Sequence, residues 1–373
     1  MTRRKKILMI YTDWAVSKER EKKNAYGGCG YYRVIKPAQY LRRWFDVDVC
    51  GDVRRKFGTT ASEVWPKVFG EYDLVWTRYI EVPRAASNLL ACAEYFNKPV
   101  LIDIDDNYRA VTDPQSNAYD VYKKGEEPRY GVDAQLSLCS GVTVTTKPLK
   151  KVLSRWNKRI FVLPNCCDVA DWPLQKRTYA DGKVRVGWAG SVTHMRDLRM
   201  IQEVFRWLLE KYPHVELHLI GGIPIQLKPE VYSWIGGHVN RLVLAGGTSG
   251  WEGFPNLLVE HGLDIGIAPL AQDAFNTCKS HIKWMEYSML GIPTIASKVY
   301  PYHKRVQWTR TIQHGKTGFI AESVDDWKRY LSLMVESRTE RLKIAKQSYE
   351  FIKGHWQYSS HIHKWRQVIE KFI

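Results

Sequence analysis

Residues 275–297 read FNTCKSHIKWMEYSMLGIPTIAS. A helical pattern runs into Gly291 and Pro293, and a β-rich run follows, so a helix feeds a strand through a tight turn. The pattern starts the helix near Lys279 and Ser280. Lys279, Lys283 and Glu286 then fall at i, i+4 and i+7, on one face. Ile282, Met285 and Met289 form the opposite, buried side. A Lys–Glu ladder on a solvated surface would share this spacing. A helix start with lysines also holds a diphosphate, however, and a glutamate two turns in accepts hydrogen bonds from vicinal hydroxyls such as those of a ribose. The functional reading is the stronger one for this stretch.

Working outward, the same strand–helix rhythm fills the chain. Candidate strands lie at 7–12, 47–51, 73–79, 100–105, 141–146 and 160–165, and again at 184–190, 215–222, 241–247, 263–270, 293–297 and 317–323. Near-continuous apolar strands alternating with helices predict buried parallel sheets, here two of them. The rhythm pauses after Asn165 in a polar stretch with Pro173 and Gly182. The predicted organisation is a first α/β domain over 1–168, a linker over 169–183, a second α/β domain over 184–354, and a last helix over 355–373 that packs back on the first domain. Ligands of such sheets bind beyond the carboxyl ends of the strands.

A chain of 373 residues suits two domains. With 45% hydrophobic and 25% charged residues it is globular and not disordered. No apolar run reaches bilayer length, and the N-terminus lacks a signal-peptide core, which predicts a cytoplasmic protein. Seven cysteines, with Cys166 beside Cys167 and no CxxC, predict reduced, mostly buried thiols in place of a disulfide framework or zinc site. The net charge of +17 favours a polyanionic partner: nucleic acid, an anionic membrane or phosphorylated substrates. Basic clusters stand at Arg3–Lys6, 18–23, Arg54–Lys56, Lys147–Lys151 and Lys304–Arg305, most of them in the first half.

Strand ends supply the remaining candidates. After the first strand comes Gly27-Gly28-Cys29-Gly30, then a helix from about Tyr31. Its spacing is not the dinucleotide fingerprint GxGxxG, yet Gly28 admits close approach to the backbone and Arg33 adds a phosphate contact. A turn that merely fits the chain is the equal alternative. Pro37 costs that helix a hydrogen bond and predicts a kink or a late start. The fourth strand ends in IDIDDNY, placing Asp103 and Asp105 on one face and Asp106 on the other. Asp105 and Asp106 are candidates to orient or deprotonate an acceptor hydroxyl. A divalent metal held by Asp103–Asp106 is a competing use, and a helix cap with a salt bridge is the bland one. The second domain opens VGWAGSVTHMRDL, where Gly190, Ser191, His194 and Arg196 suit a phosphate.

Two Rossmann-like halves, a linker starting VLPNCCD and the EYSMLGIP stretch together resemble a GT-B glycosyltransferase, the retaining family 4 type above all. Asn165 and Asp168 match that family's N-x-x-D linker. Glu286 matches the second glutamate of its E-x7-E signature, and Gly291 with Pro293 its G-x-P turn. The resemblance implies that Glu286 holds the nucleotide ribose, that Lys279 and Ser280 lie near the diphosphate or sugar, and that the chemistry needs no metal and no cofactor beyond a nucleotide-sugar co-substrate, UDP-glucose being favoured. It covers the second domain well and the first in architecture. Cys278 stands where the family has its first glutamate, Ser191, His194 and Arg196 where it has an Arg–Lys pair, and Asp105-Asp106 where it has a histidine. The basic first domain then points to DNA carrying a 5-hydroxymethylpyrimidine as acceptor, with Arg54, Arg55 and Lys56 on its phosphates. A lipid-linked or cell-surface glycan at an anionic membrane is the alternative, for which SEVWPKVFG at 62–70 is the candidate surface helix. A non-catalytic nucleotide-sugar or nucleic-acid binder is the reading from another class.

Overall fold

The structure is a computed structural model that describes residues 3–13, 26–60, 63–112, 114, 119–174, 181–221, 223–248, 250–306 and 309–373. The basic run at 18–23 and residues 175–180 of the linker lie outside the described residues.

The first sheet holds β1 (Lys6–Ile10), β2 (Asp46–Cys50), β3 (Leu74–Arg78), β4 (Val100–Ile104), β5 (Gly141–Val144) and β6 (Ile160–Val162), in spatial order β2-β1-β3-β4-β5-β6. The second holds β7 (Val184–Gly190), β8 (Val215–Gly221), β9 (Leu242–Ala245), β10 (Ile265–Ala268), β11 (Thr294–Ser297) and, after a small antiparallel ribbon of β12 (Arg305–Val306) and β13 (Thr309–Arg310), β14 (Phe319–Ala321). Its order is β14-β11-β10-β7-β8-β9. All neighbours within both six-stranded sheets are parallel. All twelve predicted strands are present. Each sheet reverses its winding once, between β1 and β3 in the first and between β7 and β10 in the second. Those two switch points are where open sheets of this kind leave a crevice for ligands.

The strands are apolar because both faces are covered. Leu8, Val75 and Ile102 pack on one side of the first sheet and Ile7, Met9, Trp76 and Leu101 on the other. The last helix, Tyr358–Ile369, closes that second side with Tyr358, Ile362, Trp365 and Ile369, as the sequence predicts. The chain therefore crosses between the halves twice. The crossings are tied together: the Cys167 N–H donates to Trp356 O at 2.8 Å and the Tyr358 N–H to Cys167 O at 2.9 Å. Cys166 and Cys167 are fully buried in these crossings.

The glycine-opened helix begins at Gly28, earlier than predicted, and widens into a π turn over Tyr31–Ile35 before resuming as Lys36–Leu41. In the π register the donor to Tyr32 O would be residue 37, a proline without an N–H. The Tyr358 hydroxyl donates to that carbonyl instead. The stretch proposed as a membrane face is turned inward: Val64, Trp65, Val68 and Phe69 of helix Val64–Glu71 are buried in the core.

Arg33 requires a correction. It does not reach a ligand but lies inside the protein, with its side chain and that of Asp103 both 0% exposed. Its Nε and Nη2 reach the two oxygens of Asp103 at 3.0 and 2.7 Å, and its Nη1 reaches Leu163 O at 2.5 Å and Asn165 Oδ1 at 3.1 Å. A buried charge on an interior strand such as β4 must be matched in this way, because an unpaired buried charge costs far more than the pair contributes. Arg33→Met should therefore lower the unfolding free energy by about 3–5 kcal/mol in urea titrations, and adding Asp103→Asn should restore part of it. An unchanged midpoint in the single variant would refute this account of Arg33.

Candidate active site between the two sheets

The second-half face of the cleft is built at the end of β7. Gly190 leaves room that a side chain would fill: an added Cβ would lie 2.8 Å from Lys283 Nζ and 2.5 Å from the Trp188 ring. Lys283 uses the space to donate to Ala189 O at 2.7 Å. One turn on, Glu286 is buried, and its Oε1 accepts from the Tyr32 hydroxyl at 3.2 Å, across the cleft. Burial pushes the Glu286 carboxyl up to about 7, against the pull of Lys283 and the Tyr32 hydrogen bond. Burial also drives the Lys283 ammonium down to about 8, against Glu286 and with help from Lys279. Two groups with displaced pKa values, side by side at a switch point, mark a functional site on physical grounds.

The helix carrying them is shorter than the spacing suggested. It runs Ile282–Met289, and a separate 3-10 turn occupies Asn276–Cys278. That turn is held from outside: Asp197 Oδ1 accepts from Asn276 Nδ2 at 2.8 Å and Asp273 Oδ1 from the Asn276 N–H at 2.7 Å. Lys279, in extended backbone between turn and helix, reaches across to Asp106 at 3.4 Å. Ser280 Oγ accepts from Asn165 Nδ2 at 3.0 Å, so it faces the crossing segment. Met285 and Met289 are fully buried, and so are Trp284, Tyr287 and Ser288, which leaves the helix enclosed nearly all round.

His194 is buried, with Nδ1 2.7 Å from Asp197 Oδ2. Burial lowers its pKa to about 3, reinforced by Lys283 and opposed by Asp197. The imidazole is therefore neutral, and a carboxylate beside Nδ1 places the proton there and leaves Nε2 as an acceptor. Arg196 pairs with Asp273 at 3.2 Å and is half exposed. Ser191 is exposed and bonds Thr193 at 2.7 Å.

On the first-half face, Gly30 N–H donates to Asp13 Oδ2 at 2.7 Å, and a Cβ on Gly27 would lie 2.6 Å from the same oxygen. The glycines thus wrap the Asp13 carboxylate. Gly28 faces Trp251, whose Cδ1 would be 3.8 Å from an added Cβ. The loop is joined to the second half: the Trp251 N–H donates to Tyr26 O at 2.9 Å, and Tyr31 stacks on the Trp251 ring with centroids 3.3 Å apart.

The acidic trio needs revision as a base or a metal cluster. Asp103 belongs to Arg33, Asp105 pairs with Arg78 at 2.9 Å, and Asp106 pairs with Lys279. Burial alone would raise Asp105, but the Arg78 guanidinium and the Cys29 thiol outweigh it and bring it down to about 2. Such a carboxylate is too weak a base for proton abstraction near neutrality. Among the described residues no group of three or more His, Cys, Asp and Glu is placed to hold a metal. Asp13, which the sequence reading passed over, is the opposite case: burial pushes its carboxyl up, against Arg78 and the Gly30 N–H. Its place at the end of the first strand was the signal. Tyr32, Trp251 and Arg78 carried no local signal. Arg54, Arg55 and Lys56 are exposed on the short helix Val53–Phe57 at the carboxyl end of β2, with Lys56 3.6 Å from Asp48.

No family model and no curated protein sequence matches the chain. Solved structures do. A glycosyltransferase from Rickettsia africae superposes with a TM-score of 0.66 at 13% identity, over 99% of this chain and 98% of its own. HepE of Anabaena, crystallised with UDP and glucose, gives 0.63 at 13% identity, over 99% and 100%. The catalytic domain of starch synthase IV from Arabidopsis thaliana, bound to ADP and acarbose, gives 0.66 at 10% identity, over 99% of each chain. The fold is GT-B. TarM of S. aureus is similar as well, with a TM-score of 0.58, although this chain spans only 54% of its length. In this GT-B chain the Lys283–Glu286 pair occupies the switch point of the second sheet, and Tyr32 meets it from the first half.

Glu286 gives a sign-determined pH effect. Its folded pKa lies above its usual 4.5, so folding takes up a proton there. That contribution to stability is complete below about pH 4.5 and is lost as pH rises through about 7. Glu286→Gln lacks it. The stability of wild type relative to Glu286→Gln should therefore decline between about pH 5 and about pH 8 in paired thermal melts. A constant difference would show that the carboxyl is not raised.

Proposed function

We propose that the chain is a cytoplasmic, metal-independent and retaining glycosyltransferase that takes a sugar from a nucleotide-sugar donor, UDP-glucose in first place, and passes it to a hydroxyl on a polyanionic acceptor. The observation that carries the donor assignment is the buried Lys283–Glu286 pair at the β7–β10 switch point of a GT-B fold. Glu286 would exchange its Tyr32 partner for the ribose hydroxyls. Lys283, Lys279 and the neutral His194, with Gly190 leaving the backbone open, would surround the diphosphate. Cations and oriented donors there stabilise the charge that develops on the leaving nucleotide. Asp13 is the carboxyl we assign to the acceptor hydroxyl, since its displaced pKa suits proton transfer better than that of Asp105. UDP and glucose in HepE, and ADP in starch synthase IV, support a nucleotide-sugar donor for this fold.

For the acceptor we propose a 5-hydroxymethylpyrimidine base in DNA, drawn out of the stack into the cleft. The charge of +17 and the exposed Arg54–Lys56 helix on the cleft side of the first sheet support it. A glycan acceptor at an anionic membrane has less support, because the 64–71 helix presents no apolar face to a bilayer.

Intact-mass analysis of nucleosides, after incubation with a panel of UDP-sugars and DNA containing 5-hydroxymethylcytosine, tests the reading. A hexose-sized gain on the modified base alone is expected. Hydrolysis of a nucleotide sugar without that gain would move the acceptor to lipids or glycans, and no donor turnover at all would leave a binding protein. Glu286→Ala should weaken UDP-sugar binding at least about tenfold, since each charge-assisted hydrogen bond is worth about 1.5–3 kcal/mol. Unaltered affinity would remove Glu286 from the ribose.

Replacing Arg54, Arg55 and Lys56 by Gln should weaken DNA binding and flatten its dependence on salt, by about 0.9 in the log–log slope for each phosphate that is no longer neutralised. An unchanged slope would take that helix out of the interface.

A further inference from the structure

The Lys147–Lys151 cluster lies at the opposite edge of the first sheet from Arg54–Lys56. There β6 is the edge strand, flanked by helix Lys147–Leu153 and by the C-terminal helix. Between them runs a groove of about 570 Å³. Its walls carry Lys147 and Lys150 on one side and Lys364 and Lys371 on the other, with Phe161 and Val162 among the floor residues. Among the described residues no carboxylate lines it. Lys147 and Lys150 are three residues apart and share one helical face, whereas Lys364 lies on the C-terminal helix and Lys371 in the turn just beyond its end. Among the described residues, Lys147, Lys150 and Lys371 form no ion pair, and all three are exposed. These three ammonium groups around one concavity repel one another unless an anion lies between them.

The groove is connected to the cleft. Thr146, the cap of helix Lys147–Leu153, donates its hydroxyl to Cys278 O at 2.7 Å, beside Lys279 and the donor helix. At its far end the Arg159 guanidinium bonds Lys371 O at 3.5 Å. Seven residues of helix span about 10 Å, the axial length of about three phosphates on one strand of a duplex.

We propose that this groove is a phosphate track for the backbone of DNA whose target base enters the cleft, an inference that rests on the DNA-acceptor reading. The two basic edges of the first sheet are five strand spacings, roughly 24 Å, apart. A duplex laid across the mouth is held on both flanks of the base to be modified, one flank by Arg54–Lys56 and the other by the groove. Backbone binding on either side positions the base without reading its sequence. The shape favours a nucleic acid over a lipid surface: the cations line a concavity, and none of the exposed large apolar side chains of the described residues is among its lining.

The test combines Lys147→Gln, Lys150→Gln and Lys371→Gln in the full chain and measures binding of a duplex containing 5-hydroxymethylcytosine by fluorescence anisotropy across a salt series. Three phosphates left without their lysines should flatten the log–log salt slope by about 2 to 3 and weaken binding more than tenfold at low salt. Thermal melts establish that the variant is folded. Wild-type slope and affinity in the folded variant would overturn the track while leaving the acceptor reading standing. Abolished DNA binding in the variant, with no sugar added to DNA by wild type, would refute the acceptor reading and with it the track, since no target base then enters the cleft. Cosedimentation with phosphatidylserine-rich vesicles that the variant loses, at unchanged DNA binding, would overturn the track in favour of lipid.

Discussion

One continuous line of polar contacts holds this molecule in register: Asp103 to Arg33, Arg33 to Asn165, Asn165 to Ser280. It starts in the centre of the first sheet, passes through the helix opened by the glycine loop, enters the crossing segment and ends just before helix Ile282–Met289. Thr143 adds a 2.6 Å hydrogen bond to the same Asp103 oxygen that Arg33 Nη2 contacts. Such a pair contributes little net stability compared with apolar packing of the same volume. Its effect is on geometry. Arg33 can satisfy Asp103, Leu163 and Asn165 together in one placement of its helix only, and that placement sets where Tyr31 and Tyr32 stand opposite the second half.

The crossing segments extend the same constraint. Asp168 accepts from Tyr40 at 2.8 Å, and Lys36 reaches Asp171 at 2.6 Å, so the linker is anchored to the helix that Arg33 positions. The missing N–H of Pro37 is compensated by a side chain more than three hundred residues away, the Tyr358 hydroxyl. Docking of the last helix is therefore coupled to the π turn that carries Tyr31–Ile35. A helix that widens where its ladder lacks a donor brings Tyr32 to Glu286 and Tyr31 to Trp251, both across the cleft. The closed arrangement of the two halves follows from these local irregularities as much as from apolar packing.

Most of the architecture was legible in the chain because it is written in short-range patterns. Every strand was readable from apolar runs and glycine or proline boundaries, and Lys283 with Glu286 from helical spacing. What was not legible depended on partners distant in sequence. Arg33 resembles a phosphate ligand because its position after a glycine loop is local information, whereas Asp103 beneath it is not. Asp105 resembles a base because Arg78, which holds it ionised, comes from a neighbouring strand. Lys279 resembles part of a helix because nothing nearby in sequence announces that Asp197 and Asp273 tie Asn276 into a turn of its own.

The same distinction explains how charge is distributed over the molecule. In the interior and along the cleft, carboxylates and cations are matched, as Asp103 with Arg33, Asp105 with Arg78 and Asp106 with Lys279. Desolvation enforces that matching, since an unmatched charge there would cost several kcal/mol. The surplus of +17 is therefore carried at the surface, where water makes an unpaired lysine cheap. Exposed cations can be placed without structural cost, so their clustering at the two edges of one sheet is not demanded by folding. Neutralising the interior while leaving the surplus at the surface separates two requirements: the packed core is kept free of unpaired charge, and the field of the molecule stays attractive to anions.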